Sequence, residues 1–318
     1  MPTLDSDFVP AAGLWNAHAQ SLFGVTRRPP ARVRLERERR ETPDGDFVDL
    51  DVVRGRPGQP TVVLLHGLEG SSSSGYMQVM LRGCALRGWT GIALHARGCS
   101  GELNRQAASY SSGDYRDLAW LVPTLEGTVL AVGFSLGASV LLNFLARDER
   151  AHRLRAAAAV SAPYDLQDGA RFLDSGSFIT RQYLERFLPA MKARALEKAK
   201  RHPADFDVPA ITAARSIRDF DHLVTARHFG FSSAEHYYAH CSAGPLLRDV
   251  RVRTLLLSSR DDELARPSIP PGTEANAALD VLLTTHGGHV GFVGGSVFRP
   301  RFWAEERVFA WLERELAR

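Results

Sequence analysis

The chain is poor in cysteine. Cys84, Cys99 and Cys241 are the only three in 318 residues, an odd number at unrelated spacings. That excludes a disulfide framework, points to a reducing compartment, and leaves no Cys/His pattern for a zinc site. Long apolar runs are missing too: no stretch reaches the roughly 18 consecutive apolar residues a membrane-spanning helix needs. The opening MPTLDSDFVP holds two aspartates and no basic cluster, so it does not read as a secretory leader. Charge of one sign is also scarce. Net charge is +3, and the densest arginine run, residues 27–40, is broken by Glu36, Glu38 and proline. Such a face suits a solvated strand, not a nucleic-acid groove. The expectation is a cytoplasmic protein with no metal, cofactor or nucleic-acid partner. Its length allows one large domain with an insertion and a sizeable core.

What the chain does have is β–α alternation around one segment, residues 128–145, TVLAVGFSLGASVLLNFL. Val129 to Val132 reads as a buried strand, and the run after Gly137, apolar nearly all round, as a buried helix. Between them lies Gly133-Phe134-Ser135-Leu136-Gly137, a G-x-S-x-G nucleophile elbow that lifts a serine hydroxyl above a sheet on a strained strand-to-helix turn. Side chains at 133 or 137 would collide with the neighbouring strand or helix.

Strands are also predicted at 32–38 and 46–53, a half-exposed hairpin joined by Thr42-Pro43-Asp44-Gly45, and at 61–65, 91–94, 154–160, 254–257 and 281–284. Helical spacing falls at 76–87, 114–125 and 301–316. Alternating buried strands and helices imply a mostly parallel sheet covered by helices, an α/β fold. Residues 1–30 read as an irregular extension packing on the core. The core comprises 31–163 and 246–318. Between them, residues 164–245 break the alternation, with helical patterns at 178–188, 191–200 and 216–225. That stretch is rich in aromatics, including Phe220, Phe229, Phe231, Tyr237 and Tyr238, and reads as a helical lid.

Three polar positions recur at strand ends in the order Ser, Asp, His: Ser135, Asp262 and His289. A serine hydroxyl is a poor nucleophile at neutral pH. An imidazole must take its proton, and a carboxylate must hold that ring in the right tautomer. Asp262 competes with the adjacent Asp261 and is favoured. His289, in a Gly-Gly-His-Val-Gly-Phe loop, is favoured over His286. The backbone N–H groups of Leu136 and Leu68 are the expected oxyanion donors. His66 is expected to orient the Leu68 loop, and Cys99 to be a small buried residue. Three polar stretches have no role that the residues alone assign, substrate contact being the less favoured alternative: Asn16 to Ser21, Arg97 to Arg105 and Asp221 to Ala226. They read as buried hydrogen bonding that holds the N-terminal arm and lid.

Taken jointly, these motifs resemble the YheT-like branch of the α/β-hydrolases. The matching pieces are Asn16-x-His18-x-Gln20, His66-Gly67-Leu68-Glu69-Gly70-Ser71, Arg97-Gly98-Cys99-Ser100-Gly101 and the elbow. They continue through Leu223-Val224-Thr225-Ala226, Gly230-Phe231, Tyr237-Tyr238, Asp261-Asp262 and Gly287 to Phe292. The resemblance implies an α/β-hydrolase fold, a Ser–Asp–His relay, and acyl chemistry on a small-molecule carboxylic ester or lipid. Two positions depart from the pattern: Glu263-Leu264 after the aspartate pair and Ala138-Ser139 after the elbow. Hydrolysis of a short- to medium-chain ester is the leading expectation. Acyl transfer to an alcohol and a non-catalytic binding scaffold are the alternatives.

Overall fold

Thr61 to Leu65, apolar on both faces, form the strand about which the order of the strands reverses. The computed structural model describes residues 6–30 and 32–318. Residues 1–5 of the expected N-terminal extension, and residue 31, lie outside the described residues. The strands are β1 (Glu36–Glu41), β2 (Phe47–Val53), β3 (Thr61–Leu65), β4 (Thr90–Leu94), β5 (Val129–Phe134), β6 (Leu154–Val160), β7 (Thr254–Ser259) and β8 (Leu279–Thr284). They pair in the order β1-β2-β4-β3-β5-β6-β7-β8. β1 and β2 are antiparallel to their neighbours, and β4 through β8 are parallel. From β3 the chain moves first to β4 on one side, then to β5 on the other. The carboxyl ends of β3 and β5 therefore flank a crevice of the kind where open α/β sheets bind ligands.

Alternation along the strands sorts the core into two layers. Val62, Leu64, Leu130 and Val132 face α2 (Gly75–Arg87) and α11 (Trp303–Leu316), where Met77, Met80, Leu81 and Phe309 are buried. Val63, Leu65, Val129 and Ala131 face α3 (Arg116–Leu121) and α4 (Leu136–Arg147). Leu141, Leu142 and Phe144 of α4 are wholly buried. Each contributes roughly 1.5–3 kcal/mol, which anchors the elbow helix to the sheet.

Between β6 and β7 lie six helices: α5 (Leu166–Leu173), α6 (Phe178–Ala199), α7 (Val208–Ala213), α8 (Ile217–Phe220), α9 (Ala226–His228) and α10 (Ala234–Cys241). They enclose their own apolar cluster, including Leu188, Met191, Phe206, Ile211 and Phe220. Here the sequence expectations need correction. The patterns at 178–188 and 191–200 form one helix, α6, which continues through Pro189. Packing of Leu188, Met191, Ala195 and Ala199 against the cluster outweighs the missing proline N–H. The pattern at 216–225 is a single turn of α8 followed by a π-helical turn at Asp221–Thr225. A hairpin, β9 (Val293–Ser296) with β10 (Arg299–Phe302), precedes α11, where continuous helix from 301 was expected. The strand expected at 32–38 runs instead over Glu36–Glu41.

The largest correction is at the N-terminus. Residues 1–30 are not irregular throughout: α1 spans Ala17–Arg27. Asn16 caps it, its Oδ1 accepting from the N–H of His18 at 2.9 Å and of Ala19 at 3.2 Å. The buried face of α1 is Gln20, Ser21 and Gly24. A helix that buries polar and small residues has no apolar period to detect. Among the described residues, no helix is long and apolar enough to cross a membrane.

Candidate active site

Ser135 sits directly after β5, at φ 53° and ψ −122°. A left-handed φ is disfavoured for any side chain, so this turn persists only because its surroundings enforce it. The two flanking glycines do so by absence. A Cβ on Gly137 would lie 2.5 Å from the carbonyl oxygens of His66 and Leu65, and one on Gly133 would lie 2.4 Å from Gly137 O. The elbow is thus wedged between β3 and α4.

The histidine and the carboxylate arrive from the ends of β8 and β7. His289 Nε2 lies 2.8 Å from Ser135 Oγ, and its Nδ1 lies 2.9 Å from Asp262 Oδ2. Asp262 is buried, and its Oδ1 accepts from the N–H groups of Leu264 at 3.1 Å and Ala265 at 2.9 Å. Because Oδ2 can only accept, Nδ1 carries the ring proton and Nε2 is free to accept from the serine hydroxyl. Asp261 points elsewhere. It accepts from the Ser259 hydroxyl and from the Gly288 N–H, and it faces His286 at 3.4 Å. His286 packs edge-on to Trp15, away from the serine.

Leu68 and Leu136 line the same cavity as Ser135 and His289. Neither backbone N–H has an acceptor among the described residues. The Leu68 loop is held from below by His66. Its Nε2 accepts from the Ala96 N–H at 3.0 Å, so its Nδ1 holds the proton and donates to Gly67 O at 2.8 Å. Burial pushes the His66 ring down to about 4, so it stays neutral at physiological pH. The unfolded chain takes up this proton near 6.5, so stability drawn from His66 is full above that pH and declines as pH falls towards 4. Tyr76 adds a further support, its hydroxyl accepting from the Gly67 N–H at 2.9 Å.

The polar stretch from Asn16 to Ser21, expected to be buried hydrogen bonding that holds the N-terminal arm, is a clamp on the histidine loop. The His289 N–H donates to Ser21 Oγ at 2.8 Å. Gln20 Nε2 donates to Leu14 O at 2.8 Å and Val293 O at 3.0 Å, while its Oε1 accepts from the Val293 N–H at 2.6 Å. A Cβ on Gly288 would lie 2.1 Å from Ala17 O, so α1 rests directly on the loop. Arg28, also buried, donates to Glu305 and to the carbonyls of Val290 and Gly291. Gln20→Ala would strand a buried N–H and carbonyl. We expect it to lower stability by about 3 kcal/mol in urea denaturation. A loss under 1 kcal/mol would mean the clamp is not tight.

The stretch from Arg97 to Arg105 carries a network of buried charge. Arg97 is buried among Asp44, Asp46 and Asp117, and Asn104 donates to Asp46 at 2.6 Å. Cys99 is half-buried where a fully buried residue was expected, and desolvation still pushes its thiol up to about 11. Asp221, in the π-turn, accepts from Thr225 and Tyr238, and burial lifts its carboxyl to about 6.

A cavity of about 450 Å³ opens above the serine. Leu166, Leu173, Phe187, Met191, Ile217 and Leu264 form its apolar wall, and Val25 of α1 and Arg186 of α6 also line it. A smaller void of about 60 Å³ continues behind Leu68 and Leu136 among Phe206, Phe220 and Val224.

A mostly parallel eight-stranded sheet, carrying a strained serine turn at the carboxyl end of an inner strand, defines the α/β class of hydrolases. The chain belongs to the alpha/beta hydrolase fold family, whose model matches residues 60–295. It is 36% identical to the Escherichia coli (strain K12) protein named "Putative esterase YheT", over 96% of this chain and 93% of that one. It is 28% identical to human Phospholipase ABHD3, over 92% of this chain and 75% of that one. Among solved structures, the Pyrococcus furiosus esterase Pf2001 superposes with a TM-score of 0.58 at 15% identity, covering 97% of this chain and 99% of that one, a likeness of fold.

Proposed function

We propose that the chain is a carboxylic ester hydrolase in which Ser135 is the nucleophile, His289 the general base and acid, and Asp262 the residue that orients the histidine. The observation that carries this is the unbroken line from Asp262 through His289 to Ser135, at 2.9 and 2.8 Å. Relatives named esterase and phospholipase fit the same chemistry.

Ser135 Oγ attacks the ester carbonyl as His289 Nε2 takes the hydroxyl proton. Negative charge gathers on the former carbonyl oxygen, where the N–H groups of Leu68 and Leu136 receive it. Preorganised donors of this kind are each worth roughly 10²–10³ in rate. The tetrahedral adduct collapses, the alcohol leaves with the proton from His289, and an acyl-serine remains. Water, deprotonated by the same ring, then releases the acid. The substrate is an ester with an aliphatic acyl chain, because the cavity above the serine is apolar on the side formed by residues 164–245, which act as its lid. Three free cysteines suit a cytoplasmic setting.

Two measurements test this. A p-nitrophenyl ester series from acetyl to palmitoyl is expected to give kcat/KM that rises to a medium chain and then falls as the chain outgrows the cavity. A flat profile would remove the acyl preference. A fluorophosphonate probe is expected to label the wild type but not His289→Ala. An unlabelled wild type would defeat the enzyme reading altogether.

A further inference from the structure

The loop that carries Leu68 is tied to the lid helix by a buried charge pair. The next residue, Glu69, has φ 54° although it is not glycine. Such a conformation is strained and survives only where neighbouring groups overdetermine it. Glu69 is held at both ends. Its N–H donates to the Tyr110 hydroxyl at 3.2 Å, that hydroxyl donates to Glu69 Oε1 at 2.7 Å, and Arg194 of α6 donates to Oε2. The side chains of Glu69 and Arg194 are only 10% and 15% exposed. Arg194 also lies over the Tyr110 ring, 5.4 Å from its centroid. One turn along α6, Lys198 Nζ donates to the carbonyls of Gln106, Ala107 and Ala108, which fixes the segment that presents Tyr110.

The closed set of Glu69, Tyr110 and Arg194 leaves little freedom at residue 68. A buried carboxylate without its cation would be strongly unfavourable, so the loop holds this shape only while α6 is docked. An oxyanion donor works only when it sits within hydrogen-bond distance of the developing charge, and small displacements reduce its value steeply. We propose that Arg194 is a positioning residue for ester cleavage: acting through Glu69, it holds the Leu68 N–H in place, so that the lid and the oxyanion site are coupled. This rests on the serine-hydrolase reading above and adds a role for a residue that touches neither Ser135 nor His289.

The test compares Glu69→Gln, Arg194→Met and Arg194→Lys with the wild type. Three quantities are read: kcat, KM, and the inhibition constant of an alkyl trifluoromethyl ketone, whose serine adduct places an oxyanion between the two donors. In Glu69→Gln and Arg194→Met, kcat is expected to fall roughly 10- to 100-fold with KM within about twofold, and ketone affinity to fall in parallel. Arg194→Lys, which keeps the charge, is expected to recover most of the loss. Should those variants fail to fold, Tyr110→Phe, which removes one hydroxyl and keeps the ring, is expected to lose several-fold in kcat and ketone affinity together. Folded variants that melt lower but retain kcat and ketone affinity within twofold would overturn the coupling and leave the pair a structural brace. A wild type that neither turns over esters nor binds the ketone would instead overturn the hydrolase reading on which this depends.

Discussion

Ser135→Ala is expected to lower kcat for a short p-nitrophenyl ester by roughly 10⁵-fold or more while the protein melts within a few degrees of the wild type. The hydroxyl is the one atom removed. The turn itself is enforced by the close approach of Gly133 and Gly137 to their neighbours, which alanine at 135 leaves unchanged. His289 loses a 2.8 Å partner but keeps Asp262 on its other nitrogen, so the ring stays in place. Turnover above about a tenth of wild type in a folded variant would reject Ser135 as the nucleophile.

Asp262→Asn is expected to lower kcat by roughly 10⁴-fold, and Asp261→Asn by less than tenfold. The contrast follows from tautomer chemistry. An amide NH₂ facing His289 Nδ1 would donate to it, which moves the ring proton to Nε2. The ring could then no longer accept the proton of Ser135. Asp261 makes no such contact. Its oxygens accept from Ser259 and from the Gly288 N–H at 2.9 Å, so the amide should cost about 1–2 kcal/mol of stability and little chemistry. The two variants are read side by side by steady-state kinetics and thermal melting. Equal kinetic losses, or the reverse order, would remove Asp262 from its assigned role.

Much of this arrangement was legible before any coordinates. Val129 to Val132 reads as a buried strand, the G-x-S-x-G turn needs glycines on either side of a strained serine, and the two remaining polar groups follow strands in the order that α/β-hydrolases use. These are local signals, because each depends on residues a few positions apart. The adjacent aspartates were another matter. Asp261 and Asp262 share one turn, and which of them meets His289 is set by the path of a loop that ends 27 residues later. α1 was missed because its buried face is Gln20, Ser21 and Gly24, whose hydrogen bonds to Val293 and His289 carry no periodic trace in the chain. The single helix α6 was divided at Pro189 because propensity speaks before packing does.

By itself the sequence determined the α/β sheet, the strained serine and the set of polar residues near it, since buried strands and tight turns impose composition on neighbouring positions. Only the tertiary structure decided which aspartate faces the imidazole, how an N-terminal helix braces the histidine loop, and that Arg194 reaches Glu69 from α6. Those pairings join segments remote in the chain, and their free energy lies in buried hydrogen bonds and charges whose partners exist only once the fold has brought them together.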